Sequence, residues 1–204
     1  MVSGDTEAVA PATPSVARTV TEVFAPAVWA AMMPLVVAVH ATAPRWAAGL
    51  GWGLLALLFS AAVPYGIIWW GVRRGRLTDH HIGVREQRRG PLIGGLLSVL
   101  AGLAALVLLG APRPLVAMVV VMFAVLLVVT AVNQIWKLSA HAAVSAGATA
   151  VLVVLFGPAL LPAFGLVALI GWSRVRLGDH STGQVLAGAV AGVLVAVPTY
   201  LLLV

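Results

Sequence analysis

Cysteine is absent from the 204 residues, which excludes disulfides, thiolate catalysis and cysteine-ligated metals and leaves the compartment open. Charge is scarce too. Charged residues make up 9% of the chain, with 6 Asp and Glu against 12 Lys and Arg. The acids beside the charged loops are Asp79, Glu86 and Asp179, too scattered to form the aspartate clusters that hold magnesium on a diphosphate in an intramembrane prenyltransferase. No basic, aromatic-interleaved soluble stretch occurs, so nucleic acid is excluded as a partner. A soluble globule is excluded as well, because 62% of the residues are hydrophobic and the mean hydropathy is +1.09.

What is present is a series of apolar runs. About 20 residues cross the ~30 Å of a bilayer's hydrocarbon, and the runs near 23–43, 47–72, 92–111, 115–135, 141–157, 159–173 and 182–204 predict an all-α, polytopic transmembrane helix bundle of six to seven spans. Proline turns separate them: Ala43-Pro44-Arg45-Trp46, Ala111-Pro112-Arg113-Pro114, and Gly157-Pro158 with Pro162. The fifth and sixth runs are the shortest. Residues 1–22 read as a flexible polar tail, with an acidic rather than basic start that does not suit a signal peptide. Residues 23–204 then form one membrane domain, with no internal repeat of fixed period.

Span order places the loops after the second, fourth and sixth runs on one side of the membrane, and those loops carry nearly every charge. They are Arg73 to Pro91, Lys137 to His141, and Ser173 to Gln184, whereas the opposite face has only Arg45 and Arg113. Arg73, Arg74 and Arg76 hug the end of the second span, so the positive-inside rule turns this face to the cytoplasm of a cell membrane. Trp46, Trp69, Trp70, Trp136 and Trp172 sit at span ends as an aromatic belt. His40 reads as a structural histidine, and His80-His81 beside Asp79 lack an evident third ligand, so no metal site is expected.

Cations at membrane depth persist where they pair, line water or bind something. A site that cleaves a phosphate ester needs cations for its oxygens, a nucleophile in line with the leaving group, and an acid for the departing alkoxide. Arginine, lysine and histidine gathered on one face supply those types. Ser173-Arg174, five residues, His180, three residues and Gln184 resemble the S-R-x-x-x-x-x-H-x-x-x-D signature of the type-2 phosphatidic acid phosphatase superfamily. Leu138-Ser139-Ala140-His141 resembles its P-S-G-H signature, in the same order and with a helical hairpin between. Arg85, Arg88 and Arg89 before Gly90-Pro91 echo its K-x-x-x-x-x-x-R-P signature without the lysine. Other departures are Leu138 and Ala140 for proline and glycine, and Gln184 for aspartate.

The resemblance implies that His180 attacks phosphorus, that His141 protonates the leaving oxygen, and that Gln184 holds the His180 ring, since four residues apart on a helix share a face. It implies Arg174 as a bidentate phosphate clamp, Ser139 and Ser173 as further donors, and Arg85, Arg88 and Arg89 as second-rank ligands. Lys137 stands in for the missing lysine. The expected function is hydrolysis of a lipid phosphomonoester or diphosphate, such as phosphatidic acid, phosphatidylglycerophosphate or a polyprenyl diphosphate, with no cofactor and no metal. The alternative is a catalytically impaired protein that binds or transports lipid phosphates, because glutamine lacks the charge that steadies an imidazolium. The expected partners are the lipid phosphate and membrane lipids.

Overall fold

A computed structural model describes residues 15–80, 82 and 84–204. Residues 1–14 of the tail and His81 lie outside the described residues. Every regular element within them is helical. The predicted runs become α2 (Pro26–Thr42), α3 (Trp46–Leu57) continuing through a π-helical turn into α4 (Val63–Arg73), α5 (Arg89–Leu108), α6 (Arg113–Asn133), α7 (Ala140–Phe156), α8 (Phe164–Arg176) and α9 (Thr182–Leu203). Six helical segments are long and apolar enough to cross a bilayer, and α7, with 17 residues, is the shorter exception.

The N-terminal boundary differs from expectation. Residues 16–23 form an additional helix, α1 (Val16–Val23), rather than tail. Ser15 starts it, its Oγ accepting from Arg18 N at 3.3 Å. Ala17, Val20 and Thr21 are buried, and α1 packs on α8, with Thr21 Oγ1 3.0 Å from Ser173 Oγ. Its alternation of Val, Ala and Thr with Arg and Glu hides one apolar face, a pattern that average polarity conceals. Pro26 then opens α2 at its first turn, where a missing N–H costs nothing.

The π turn Leu58–Ala62 follows from Pro64. Proline gives no N–H to the preceding turn, so the Phe59 carbonyl would be orphaned in hydrocarbon. Ser98 Oγ on α5 donates to it at 2.6 Å, and Ser60 Oγ, freed to face α2, donates to Ala30 O at 3.0 Å.

At the centre stands α7. Ten of its 17 residues are buried, and its Ala, Gly and Ser content lets neighbours approach closely. The parallel helix α9 meets it through Gly188, Gly192 and Ala196. A Cβ on Gly188 would stand 2.6 Å from Ser139 O, and one on Gly147 would stand 3.1 Å from Gly192 O. At Gly188 no larger residue fits without a shift of the backbone it faces. Because the two helices are parallel and in close register, their N-terminal ends lie side by side.

Replacing Gly188 with leucine is expected to part α7 from α9 and to cost about 3 kcal/mol or more, the upper end for overpacking. Gly165 of α8 has open space where a Cβ would stand, so Gly165→Ala is the control. Thermal unfolding in detergent should show a large fall in Tm for the first and none for the second.

Candidate active site

The ends of α6, α7, α8 and α9 meet His80, Ile82 and Arg88 at one face of the bundle. α8 stops by a glycine turn. Gly178 adopts φ +71°, and the Arg174 carbonyl accepts from Asp179 N at 3.1 Å and His180 N at 3.3 Å. Ser181 then caps α9, its Oγ accepting from Gln184 N at 3.3 Å while Gln184 Oε1 accepts from Ser181 N at 3.1 Å. This exchange fixes Gln184, and its Oε1 also lies 3.2 Å from His180 Nδ1. The Lys137 carbonyl lies 3.2 Å from the same nitrogen. Both neighbours are acceptors, so the neutral ring keeps its proton on Nδ1 and leaves Nε2 as its basic nitrogen.

His141, Arg174, His180, Arg88 and Asn133 line one cleft of about 120 Å³, with His80, Ala140 and the apolar side chains of Ile68, Ile82, Leu92 and Val129 completing its walls. That is well above the ~10–15 Å³ that admits one water. Arg174 is 2% exposed. One of its terminal nitrogens pairs with Asp179 Oδ2 at 3.0 Å, while its buried Nε has no partner. Arg88 is 7% exposed. Its Nε donates to Ile82 O at 2.8 Å and Nη1 donates to Asn133 Oδ1 at 2.9 Å. His80, on the rim, pairs with Glu22 of α1 at 3.1 Å.

Burial, followed by the cations Arg88, Arg174 and Lys137, pulls the His180 pKa down from 6.5 to about 4, with the Gln184 hydrogen bond opposing weakly. His180 is therefore neutral at physiological pH. The Lys137 pKa is also lowered, first by burial and then by Arg88. Both shifts favour the less positive form of the group, and an incoming dianion would reverse their electrostatic part. The face is short of negative charge.

Several predicted residues are placed elsewhere. Ser139 is fully buried, and its Oγ accepts from Ala142 N at 3.4 Å as the cap of α7. Ser173 is equally buried, donating to Ile170 O at 2.7 Å and facing Thr21. Neither hydroxyl lines the cleft, because each is used by the backbone within its own turn. Arg89 is exposed and lines a neighbouring recess with Glu86 and Gln134 rather than the histidine cleft. The Arg85 side chain lies outside the described residues. Lys137 contributes its carbonyl to the His180 ring, and its ammonium is not among the groups lining the cleft. The sequence reading missed Asn133, which is 4% exposed and donates to Val129 O at 2.8 Å. An amide ending an otherwise apolar span was the available signal.

Comparison of the chain with protein-family models, with curated proteins and with solved structures finds no match.

A neutral His180 in mild acid can be read by carbethoxylation, which requires an unprotonated imidazole. At pH 5 about nine tenths of a group with pKa about 4 is neutral, against roughly 3% for an ordinary histidine of pKa ~6.5. Diethyl pyrocarbonate at pH 5, followed by peptide mass mapping, should modify His180, and a His180 modified at pH 7 but not at pH 5 would overturn the lowered pKa. Gln184→Glu should raise the pKa by adding a negative charge and reduce that modification.

Proposed function

We propose that the protein is an integral membrane phosphohydrolase that cleaves a lipid phosphomonoester or diphosphate through a phosphohistidine. The observation that carries this reading is the His180 ring: neutral, tethered through Nδ1, and lining one cleft with a second histidine and two buried guanidinium groups. A binding site alone has no need of an oriented neutral imidazole among cations.

In the proposed reaction Arg88 and Arg174 hold the phosphoryl oxygens, the orphaned Nε of Arg174 gaining a partner. The Nε2 lone pair of His180 attacks phosphorus as the bond to the leaving oxygen breaks. His141, at the start of α7, gives its proton to that oxygen, so that the lipid alcohol or phosphate departs neutralised. Water then attacks the phosphohistidine, giving a proton to His141, and inorganic phosphate leaves with His180 restored. Charge on the phosphoryl group is met by groups fixed before the substrate arrives, which lowers the cost of reorganisation. By the loop charges, the site opens to the cytoplasmic face of a cell membrane.

Gln184 supports a second reading, in which the lipid phosphate is bound and not cleaved. Its amide orients the ring and contributes no charge to an imidazolium.

Phosphate release from a panel of lipid phosphates in detergent, with chelator present, separates the two. His180→Ala should fall to background and His141→Ala by roughly 10²–10⁴. Arg88→Ala should lose about 10- to 100-fold, as expected for a charged hydrogen bond, whereas Arg89→Ala should stay within about twofold as an ordinary surface change. Retained binding with no release by the unaltered protein would overturn the hydrolase reading in favour of the second.

A further inference from the structure

The polar cleft shares part of its wall with a second cavity. Ile68, Ile82 and Leu92 line it and also line a second, almost wholly apolar groove of about 170 Å³. Five helical segments wall that groove, and each carries it to a similar depth below the cleft. On α2 the lining runs from Pro26 to Met33, on α5 from Leu92 to Val99, and past the π turn from Ile68 back to Ser60. At 1.5 Å per residue these drops are each about 10–12 Å. On α7 the drop from His141 of the cleft to Ala148 of the groove is about 10 Å, and on α6 the drop from Val129 to Met118 is about 16 Å. The deepest members, Met33, Val99 and Met118, are 2%, 3% and 2% exposed. They form a floor.

We propose that this groove takes one hydrocarbon tail of the phosphate-bearing lipid, and that Met33, Val99 and Met118 set the length of tail the protein recognises. The proposal deepens the reading of the cleft as a phosphate site and rests on it. Three arguments fix the occupant. The groove adjoins the cation-lined cleft, with Ile68, Ile82 and Leu92 lining both, so a tail in it would lie beside an anion in the cleft. Its lining is nearly free of polar side chains, with Ser60 donating its hydroxyl proton to Ala30 and Ala56 and the Trp29 indole N–H the one donor left without a partner, which suits the hydrocarbon of a lipid and not a charged headgroup. A volume of about 170 Å³ spread over ~10–16 Å of depth leaves a channel one chain wide. A tail longer than the groove gains nothing from the protein beyond the floor.

The test uses n-alkylphosphonates from ethyl to hexadecyl, whose carbon–phosphorus bond resists hydrolysis. Their affinity for the full chain in lipid nanodiscs is measured by calorimetry, with empty nanodiscs subtracted. Affinity should rise by about fourfold for each methylene buried and level off once the tail spans ~10–16 Å. Met118→Trp, which raises the floor, should move the plateau to shorter tails with ethylphosphonate affinity unchanged, the latter showing that the site is folded. Val99→Ala should move it to longer tails. Affinity indifferent to tail length, as when a bilayer lipid fills the groove permanently, would overturn the proposal, as would a plateau that neither variant moves. A movable plateau in a protein that releases no phosphate would uphold the tail groove and overturn only the hydrolase reading. Absence of binding by every phosphonate, ethyl included, would overturn both.

Discussion

The close, parallel contact between α7 and α9 is the constraint on which the site depends. His141 begins one helix and His180 immediately precedes the other, so their separation is set by how near the two axes run. Gly188 under Ser139 and Gly192 against Ala143 permit that approach, and Ser139 N donating to Gln184 O at 3.3 Å pins the register at the same level. In hydrocarbon there is little hydrophobic gain in pressing helices together, so packing of small residues and a few hydrogen bonds must supply it. The same few atoms thus build the bundle and position the histidines.

Gathering Arg88, Arg174, Lys137 and His180 at one face has an electrostatic cost that is only partly offset. Asp179 pairs with Arg174, and Asn133 and the Ile82 carbonyl satisfy Arg88 as neutral acceptors. Neutral acceptors orient a guanidinium without cancelling its charge. The depressed pKa values of His180 and Lys137 reflect burial first and then the neighbouring cations. A fold that needed Arg88 only for stability would gain by pairing it with a carboxylate, as Arg174 is paired with Asp179, because an uncompensated buried charge is strongly destabilising. Holding Arg88 with amide and carbonyl oxygens instead keeps its charge available to an anion.

The sequence made the spans legible because their signal is length and hydropathy, which neighbours barely alter: the run near 47–72 became 46–73, and that near 115–135 became 113–133. Arg174, His141 and His180 were legible as a constellation because spacing along two helix ends survives folding. Their hydroxyl neighbours were not. Ser139 and Ser173 have short side chains that any backbone carbonyl or amide within one turn can capture, and sequence spacing does not say whether a hydroxyl caps its helix or faces a ligand. Nor could three arginines in five residues be told apart, because the choice of Arg88 rests on Asn133, 45 residues away. Helix α1 was hidden for another reason. Its average polarity resembles a tail, and only the periodic placement of Ala17, Val20 and Thr21 against α8 makes it a helix with a partner.

The relative placement of the two cavities also bears on which oxygen leaves. His141 stands on α7 where the polar cleft gives way to the apolar groove, since Val144 one turn below it already lines the latter. His180 lies outside the helices, beyond the last turn of α8 and before the first of α9. On the proposed reading, a lipid phosphate seated with its tail toward Val144 would place the ester oxygen on the His141 side and its free oxygens toward the arginines. The bond facing His141 would then be the bond to the lipid, leaving His180 as the group that attacks phosphorus. In-line displacement requires that opposition of nucleophile and leaving group. For the proposed reaction that opposition would rest on two features set independently of phosphate chemistry: the parallel register of α7 and α9, and the apolar run of side chains that continues α7 below the cleft.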